Sequence, residues 1–260
     1  MLETRPETLT EGNVTEDTLL NGRVRLLQPR RGHRAGSAAV LLAASVAAID
    51  GDTVVDLGAG TGAVGLMMAA SHRTAGFVFI ERDPDLAALC RRNVALNGLA
   101  ERARVVEADI LATPRGAQGL VAGADLVVTN PPFLEAARSR ASPDPGRAAA
   151  HQLPADGLRR WIDYGAALLK PKGRLALIHR ADRLAECLGH LSSDFGGLAV
   201  RAVHPRVDEP AIRILVMGAK GSRAPLRIAP PLVLHGGDGR FTREAEALHR
   251  GEASLWVPEP

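Results

Sequence analysis

The sequence predicts an α/β fold, a doubly wound and mostly parallel sheet with helices on both faces. Three observations predict it. Short apolar, β-branched runs alternate with helical patterns from residue 53 to residue 217, the order that builds a parallel sheet covered on both sides. Within runs 53–57 and 125–129 apolar residues stand at consecutive positions, as in strands buried on both faces. Glycines then recur at alternate positions in Gly58-Ala59-Gly60-Thr61-Gly62, between the first such run and a helical pattern of Ala63, Val64, Leu66, Met67 and Ala69. Glycines in a strand–turn–helix junction permit positive φ and let a ligand lie against the backbone, with the amides of the next helix facing the same spot.

The elements follow in order. Residues 1–17 are polar without a clear period and are expected to be undocked or lightly docked. Residues 19–28 alternate around Asn21-Gly22, a hairpin signal. Arg30, Arg31, His33 and Arg34 form a basic loop, and Ser37 is placed to cap a helix over 38–49. Strand 53–57 leads to helix 62–71, and strand 76–80 to Glu81-Arg82-Asp83-Pro84. Pro84 suits the first turn of a helix that Asn97-Gly98 stops. Strand 104–107 ends at Ala108-Asp109-Ile110, and strand 125–129 at Asn130-Pro131-Pro132-Phe133, before a long loop to Pro154. A helix carrying Leu158, Trp161, Ile162, Ala166 and Leu169 comes next. Strand 174–179, helix 181–193 and strands 198–203 and 212–217 complete the core. Beyond Met217 the pattern breaks into a basic turn, Lys220-Gly221-Ser222-Arg223, short apolar pieces at 226–228 and 232–234, and a helix over 242–249 with Thr242 as cap. This tail is too small to fold alone. The chain therefore reads as one domain over 1–260, with a cap or lid over 1–35, a core over 36–219 and an appendage over 220–260.

Composition narrows the function classes. A hydrophobic fraction of 46% marks a globular chain, while aromatics at 3% leave the core to aliphatic residues. A net charge of +3 permits a nucleic-acid partner without demanding one. The chain has only two cysteines, Cys90 and Cys187, far apart in sequence, so no metal site or disulfide framework is expected, and both read as buried thiols. No stretch reaches the length of a membrane span, and the N-terminus carries Glu3, Glu7 and Glu11 without an apolar run, so a cytoplasmic protein is expected.

Ligands of open parallel sheets bind at the carboxyl ends of the strands. Glu81 stands where a carboxylate accepts bonds from ribose hydroxyls, in nicotinamide dinucleotides and S-adenosylmethionine alike. Asp109 is placed to receive an adenine amine, with the Ile110 amide on a ring nitrogen. The glycines do not separate these cofactors, since Gly58-x-Gly60-x-x-Ala63 also fits the loose dinucleotide fingerprint. Asn130-Pro131-Pro132-Phe133 does. Two prolines fix the backbone and donate no hydrogen bond, so rigid carbonyls stand beside the Asn130 side-chain oxygen, and Phe133 offers a flat face. Acceptors that grip both hydrogens of a ring-bound NH2 favour a pyramidal nitrogen and aim its lone pair. A nicotinamide dehydrogenase has no use for this device.

On these residues the chain resembles the class I S-adenosylmethionine-dependent methyltransferases of the amino-methylating branch, with a Rossmann-like seven-stranded sheet. It most resembles the bacterial tRNA1(Val) adenine-37 N6-methyltransferases. The resemblance spans about residues 20–250. It rests on the lead-in from Gln28-Pro29-Arg30 to Ala39, on Val55-Asp56-Leu57 with the glycine run, on Asn130 to Phe133, and on Gly218-Ala219-Lys220-Gly221 with Pro231-Leu232. Where the family lead-in has a Gly-Thr-Asp-like run, this chain has Ala35-Gly36-Ser37-Ala38. The resemblance implies S-adenosyl-L-methionine as cofactor and S-adenosyl-L-homocysteine as product. It implies cofactor contacts from Arg34, Asp56, Gly58, Gly60, Glu81, Arg82, Ala108, Asp109, Ile110 and Asn130. It implies Asn130, Pro131 and Pro132 at the target amine, Phe133 on a flipped base, and tRNA as partner. Arg30, Arg31, Arg34, Arg138, Arg140, Arg147, Lys220 and Arg223 are the candidate phosphate contacts. His151 reads as a surface histidine. Rival readings are a release-factor glutamine N5-methyltransferase, a ribosomal-RNA guanine N2-methyltransferase and a catalytically silent cofactor-binding module.

Overall fold

A computed structural model describes residues 11–31, 34–112, 123–132, 134–135, 152–154 and 156–255. A short 3-10 helix, Glu11–Asn13, leads into a hairpin of β1 (Val14–Leu19) and β2 (Val24–Pro29). Leu20, Asn21 and Gly22 all turn with positive φ between them. Residues 14–17, expected to be undocked or lightly docked, are strand. Their polar side chains work across the hairpin: Asp17 Oδ2 accepts from Thr15, Gln28 and Arg34 at 2.8–3.0 Å.

The chain then alternates as expected: α1 (Ser37–Ala44), β3 (Thr53–Leu57), α2 (Ala63–Ser71), β4 (Gly76–Glu81), α3 (Pro84–Leu96), β5 (Ala103–Glu107) and β6 (Ala124–Thr129). Two-residue strands β7 (Leu134–Glu135) and β8 (Gln152–Leu153) pair with each other. There follow α4 (Gly157–Leu168), β9 (Leu169–Arg180), a 3-10 turn at Ala181–Arg183, α5 (Leu184–Leu191), β10 (Phe195–His204) and β11 (Arg213–Lys220). The last elements are β12 (Arg227–Ile228), β13 (Leu232–Val233) and α6 (Arg243–Arg250).

The main sheet runs β12-β10-β11-β9-β6-β3-β4-β5, with β13 also on β10. Its seven-stranded core is the expected one, and β12 and β13 lengthen its outer edge. Only β11 in that core is antiparallel, to both β9 and β10. From β3 the chain steps outward to β4 and β5, then returns to β6 on the other side of β3. The switch point therefore lies between the carboxyl ends of β3 and β6, where such sheets open a crevice.

Alternation along each strand fills two cores. Val54, Phe77, Phe79, Leu126, Val128 and Ile178 face α1, α2, α3 and α6, while Val55, Leu57, Val78, Ile80, Val127 and Leu177 face α4 and α5. Phe79 is wholly buried; burial of such a side chain is worth roughly 1.5–3 kcal/mol.

Boundaries differ where local chemistry intervenes. α1 stops at Ala44 because the Ser45 hydroxyl and amide both turn back to the Leu42 carbonyl. β9 starts five residues before the expected 174: it pairs with β6 at Leu169, then at Arg174, and residues between them bulge, with Lys172 at φ 66°. The expected 181–193 helix splits into the 3-10 turn and α5. Ser37 is not the cap of α1, whose N-cap position is Gly36; its hydroxyl meets His249 Nε2 at 3.1 Å instead. Thr242 does cap α6, accepting from the Ala245 amide. α6 buries Ala245 and Leu248 in the first core. The Leu255 amide donates to the Ala44 carbonyl, and Arg23 donates to the Arg250 and Gly251 carbonyls.

Candidate active site

The turn after β3 is held from below. The Gly58 and Ala59 amides both donate to the Ile80 carbonyl at 2.9 Å, and the Gly60 amide donates to Glu81 Oε2 at 2.7 Å. Gly58, Gly60 and Gly62 have φ of 74°, 56° and 90°, values costly for residues with a Cβ. Their surroundings differ. A Cβ on Gly58 would stand 2.5 Å from the Trp161 ring, and one on Gly62 2.8 Å from Cys90 Sγ. A Cβ on Gly60 would meet nothing within 4 Å among the described residues. Of the three, only Gly60 faces open space.

Glu81, at the end of β4, is buried, and its Oε1 also accepts from the Arg82 and Asp83 amides at 2.9 Å. Three of a carboxylate's roughly four acceptor positions are thus taken. Asp109, beyond β5, accepts from the Leu111 amide at 2.8 Å, beside a buried Ile110. The Ala108 amide donates to the Glu81 carbonyl, linking the ends of β4 and β5.

Asp56 lies behind the turn. Its carboxylate accepts from the Gly65 amide at 2.9 Å in the first turn of α2 and is 3% exposed. Burial pushes its carboxyl up to about 7; the Gly65 bond opposes the rise and the Glu81 charge adds to it. Arg34 is engaged in the hairpin, donating to Thr15, Asp17 and the Pro29 carbonyl.

Across the crevice, β6 ends at Thr129, and Asn130 and Pro131 follow. Asn130 Oδ1 is buried and has no hydrogen-bond partner among the described residues. Pro131 is buried as well. An unmet acceptor at such a place is costly, and it is the chemistry expected of a grip on an incoming N–H. Phe133 falls outside the described residues, as do Arg138, Arg140, Arg147, His33 and His151. Arg30, Arg31 and Arg223 are exposed. Lys220 is not a free surface cation: its ammonium donates to the Ala166 and Leu169 carbonyls at 2.7 and 2.8 Å, closing the C-terminus of α4. Both cysteines are buried thiols, with burial pushing Cys187 up to about 12.

One connection is absent from the sequence reading. Trp161 Nε1 donates to Thr129 Oγ1 at 2.8 Å, and Thr129 Oγ1 donates to the Leu57 carbonyl at 2.7 Å. The Trp161 ring meanwhile covers Gly58. One indole thus ties the glycine turn to the residue before Asn130. In sequence Trp161 shows only as an apolar position on a helix, and its 32-residue separation from Thr129 carries no local pattern.

The family model for the methyltransferase small domain matches residues 33–204. The chain belongs to that family. The expected family and fold are therefore present, and the matched segment holds the whole glycine turn, Glu81, Asp109 and Asn130. Curated relatives include a tRNA1(Val) (adenine(37)-N6)-methyltransferase of Porphyromonas gingivalis, 36% identical over 51% of each chain. Another bearing the same description, from Aeromonas hydrophila, is 30% identical over 80% of this chain and 85% of its own. The chain spans about half the length of the Porphyromonas gingivalis relative. A crystal structure of a predicted O-methyltransferase from Agrobacterium tumefaciens superimposes with a TM-score of 0.70 at 33% identity, covering 84% of this chain and 98% of that one. Within this methyltransferase family, the carboxyl-end crevice is the candidate site.

Proposed function

We propose that the chain methylates the exocyclic N6 amine of an adenine in tRNA, using S-adenosyl-L-methionine and releasing S-adenosyl-L-homocysteine. The observation that carries the reading is the buried Asn130 Oδ1 beside Pro131, without a hydrogen-bond partner among the described residues and across the switch point from the open face of Gly60. The cofactor fits the residues present: an open cradle at Gly60, acidic side chains at the next two strand ends, and an acceptor facing where an amine must come. Bound there, it supplies an electrophilic methyl group.

Gly60 leaves room for the ligand against the backbone. Glu81 has acceptor capacity left for one ribose hydroxyl and takes the second by releasing one of its three backbone donors. Asp109 and the Ile110 amide address the adenine of the cofactor. Asp56 supports the turn from behind, and Trp161 and Thr129 fix the distance between the turn and Asn130. Asn130 Oδ1 and the Pro131 carbonyl would accept hydrogen bonds from the two N–H groups of the substrate amine, favouring a pyramidal nitrogen with its lone pair out of the ring; as the new N–C bond replaces the cofactor's S–C bond, one N–H proton would leave to solvent. Alignment, more than acid catalysis, then sets the rate. Phe133 stacks on the flipped base, a contact worth ~1–3 kcal/mol and comparable with the few kcal/mol needed to extrude it. Arg30, Arg31 and Arg223 are left for RNA phosphates, with Arg138, Arg140 and Arg147 from the loop.

Replacing Asn130 by Ala tests the reading. Transfer of labelled methyl to tRNA is expected to fall by about 10²-fold or more, the scale for loss of one oriented polar group, while homocysteine-product affinity changes far less. Undiminished transfer would remove the assigned role and revive the silent-module reading.

A further inference from the structure

α3 and its C-cap position carry two asparagines one turn apart, Asn93 and Asn97, that treat the hairpin as a neighbouring strand. Asn93 Oδ1 accepts from the Leu27 amide at 2.7 Å, and its Nδ2 donates to the Leu27 carbonyl at 2.9 Å. Asn97 repeats the pattern on Arg25, accepting from its amide at 2.9 Å and donating to its carbonyl at 2.7 Å. Residues i and i+4 share a helix face, and residues i and i+2 share a strand edge, so the pair reads two successive outward peptides of β2. Asn93 does one thing more. Its Nδ2 also donates to the Thr61 carbonyl at 2.9 Å, between Gly60 and Gly62. It is wholly buried, while Asn97 is half-buried.

We propose that Asn93 is a positioning residue that couples the β1–β2 hairpin to the glycine turn, so that the hairpin's seating sets the turn's affinity for the cofactor. Thr61 is flanked by two glycines in left-handed conformations, and such residues are the most costly in the chain to immobilise. The amides of the turn are held through β4 and through local bonds. The Thr61 carbonyl is held through Asn93, and Asn93 is oriented by Leu27. The hairpin is itself fixed at its far side, where Gln28 Oε1 accepts from the Ala35 amide and Asp17 pairs with Arg34. A segment described by its sequence as a lid is therefore a braced wall, and the brace ends on the cofactor cradle. Asn97 is the comparison: it grips the same strand and its Nδ2 also donates to the Asn93 carbonyl at 2.8 Å, but it makes no hydrogen bond to the turn among the described residues.

This inference rests on the cofactor assignment above, and the test separates the two. S-adenosyl-L-homocysteine is titrated into the full chain, its Asn93→Asp variant and its Asn97→Ala variant, below the melting temperature of each. Asp keeps the acceptor for the Leu27 amide and loses both donations. Asn93→Asp is expected to weaken binding by about three- to tenfold, the scale of one net hydrogen bond, and Asn97→Ala, which loosens the hairpin but leaves the bond to the Thr61 carbonyl, by a smaller factor, although both melt earlier. Equal affinities for wild type and a folded Asn93→Asp would overturn the coupling; no binding by wild type would overturn the cofactor assignment instead. Should Asn93→Asp not fold, wild-type amide exchange decides. Linkage is reciprocal, so the ligand is expected to slow exchange at Leu27 beyond any slowing along β10 to β13, and uniform slowing would refute the proposal.

Discussion

Gly58 and Gly60 stand two residues apart and answer to different neighbours. The Trp161 ring leaves no room for a methyl at Gly58, and nothing among the described residues contests one at Gly60. Gly58→Ala is therefore expected to destabilise the fold by several kcal/mol, in the manner of overpacking plus a strained φ, and to lower the melting temperature by ten degrees or more. Gly60→Ala is expected to cost only about 1–2 kcal/mol for its φ and to lose at least tenfold in S-adenosyl-L-homocysteine affinity. Calorimetry and titration of the pair check this; similar affinity losses in two equally stable variants would break the distinction. At this scale the residue types at strand ends were legible, because alternation of strand and helix fixes where strands stop. Their hydrogen bonds were not. Whether Asp56 faces a ligand or the Gly65 amide depends on which side of β3 carries α2, and the Trp161–Thr129 bond needs two distant elements in place.

Elements owe their ends to partners that sequence does not announce. α4 finishes with its Ala166 and Leu169 carbonyls on the Lys220 ammonium, an ion drawn from the last residue of β11. A basic turn read in isolation looks like a phosphate contact; placed beside a helix C-terminus it satisfies carbonyls and the helix dipole. Lys220→Met is expected to lower stability by about 1–2 kcal/mol and leave tRNA affinity within twofold. Denaturant unfolding and a tRNA binding isotherm at fixed salt give the answer, and a large loss of RNA affinity without loss of stability would restore Lys220 to the interface. The hairpin shows the same division. Asn21-Gly22 announced its turn, since only a few residue types tolerate positive φ in succession. Its anchorage through Asn93, Asn97, Asp17 and Gln28 depends on geometry between elements, and so residues 14–17 read as loose.

At the scale of the molecule, strand order follows from the alternation and the switch point, which is why the fold was legible almost whole. The two edge strands, β12 and β13, were not foreseen as sheet members, for each is two residues long and within two residues of a proline. Stability of the whole carries a mark of the site. Asp56 has its carboxyl raised to about 7 in the fold, against an ordinary 3.8 in the open chain. Between these values the folded chain holds a proton that the unfolded chain releases, so stability falls as pH rises through this window, and the loss is complete above about pH 7. Asp56→Asn keeps an oxygen for the Gly65 amide and has nothing to ionise. Its cofactor-free melting temperature is expected to decline less than that of wild type between pH 4.5 and 7.5, roughly the window the raised carboxyl defines; matching declines would assign the effect elsewhere.

Arg23 reaches the Arg250 and Gly251 carbonyls, and Leu255 reaches Ala44. During synthesis, then, the β1–β2 hairpin waits for residues 250 and 251 to emerge. A nascent chain halted before residue 243 lacks Ala245, Leu248 and Leu255, all members of the first core. It leaves bare the apolar flank they cover, so such a chain is open to chaperones and proteases until those residues arrive.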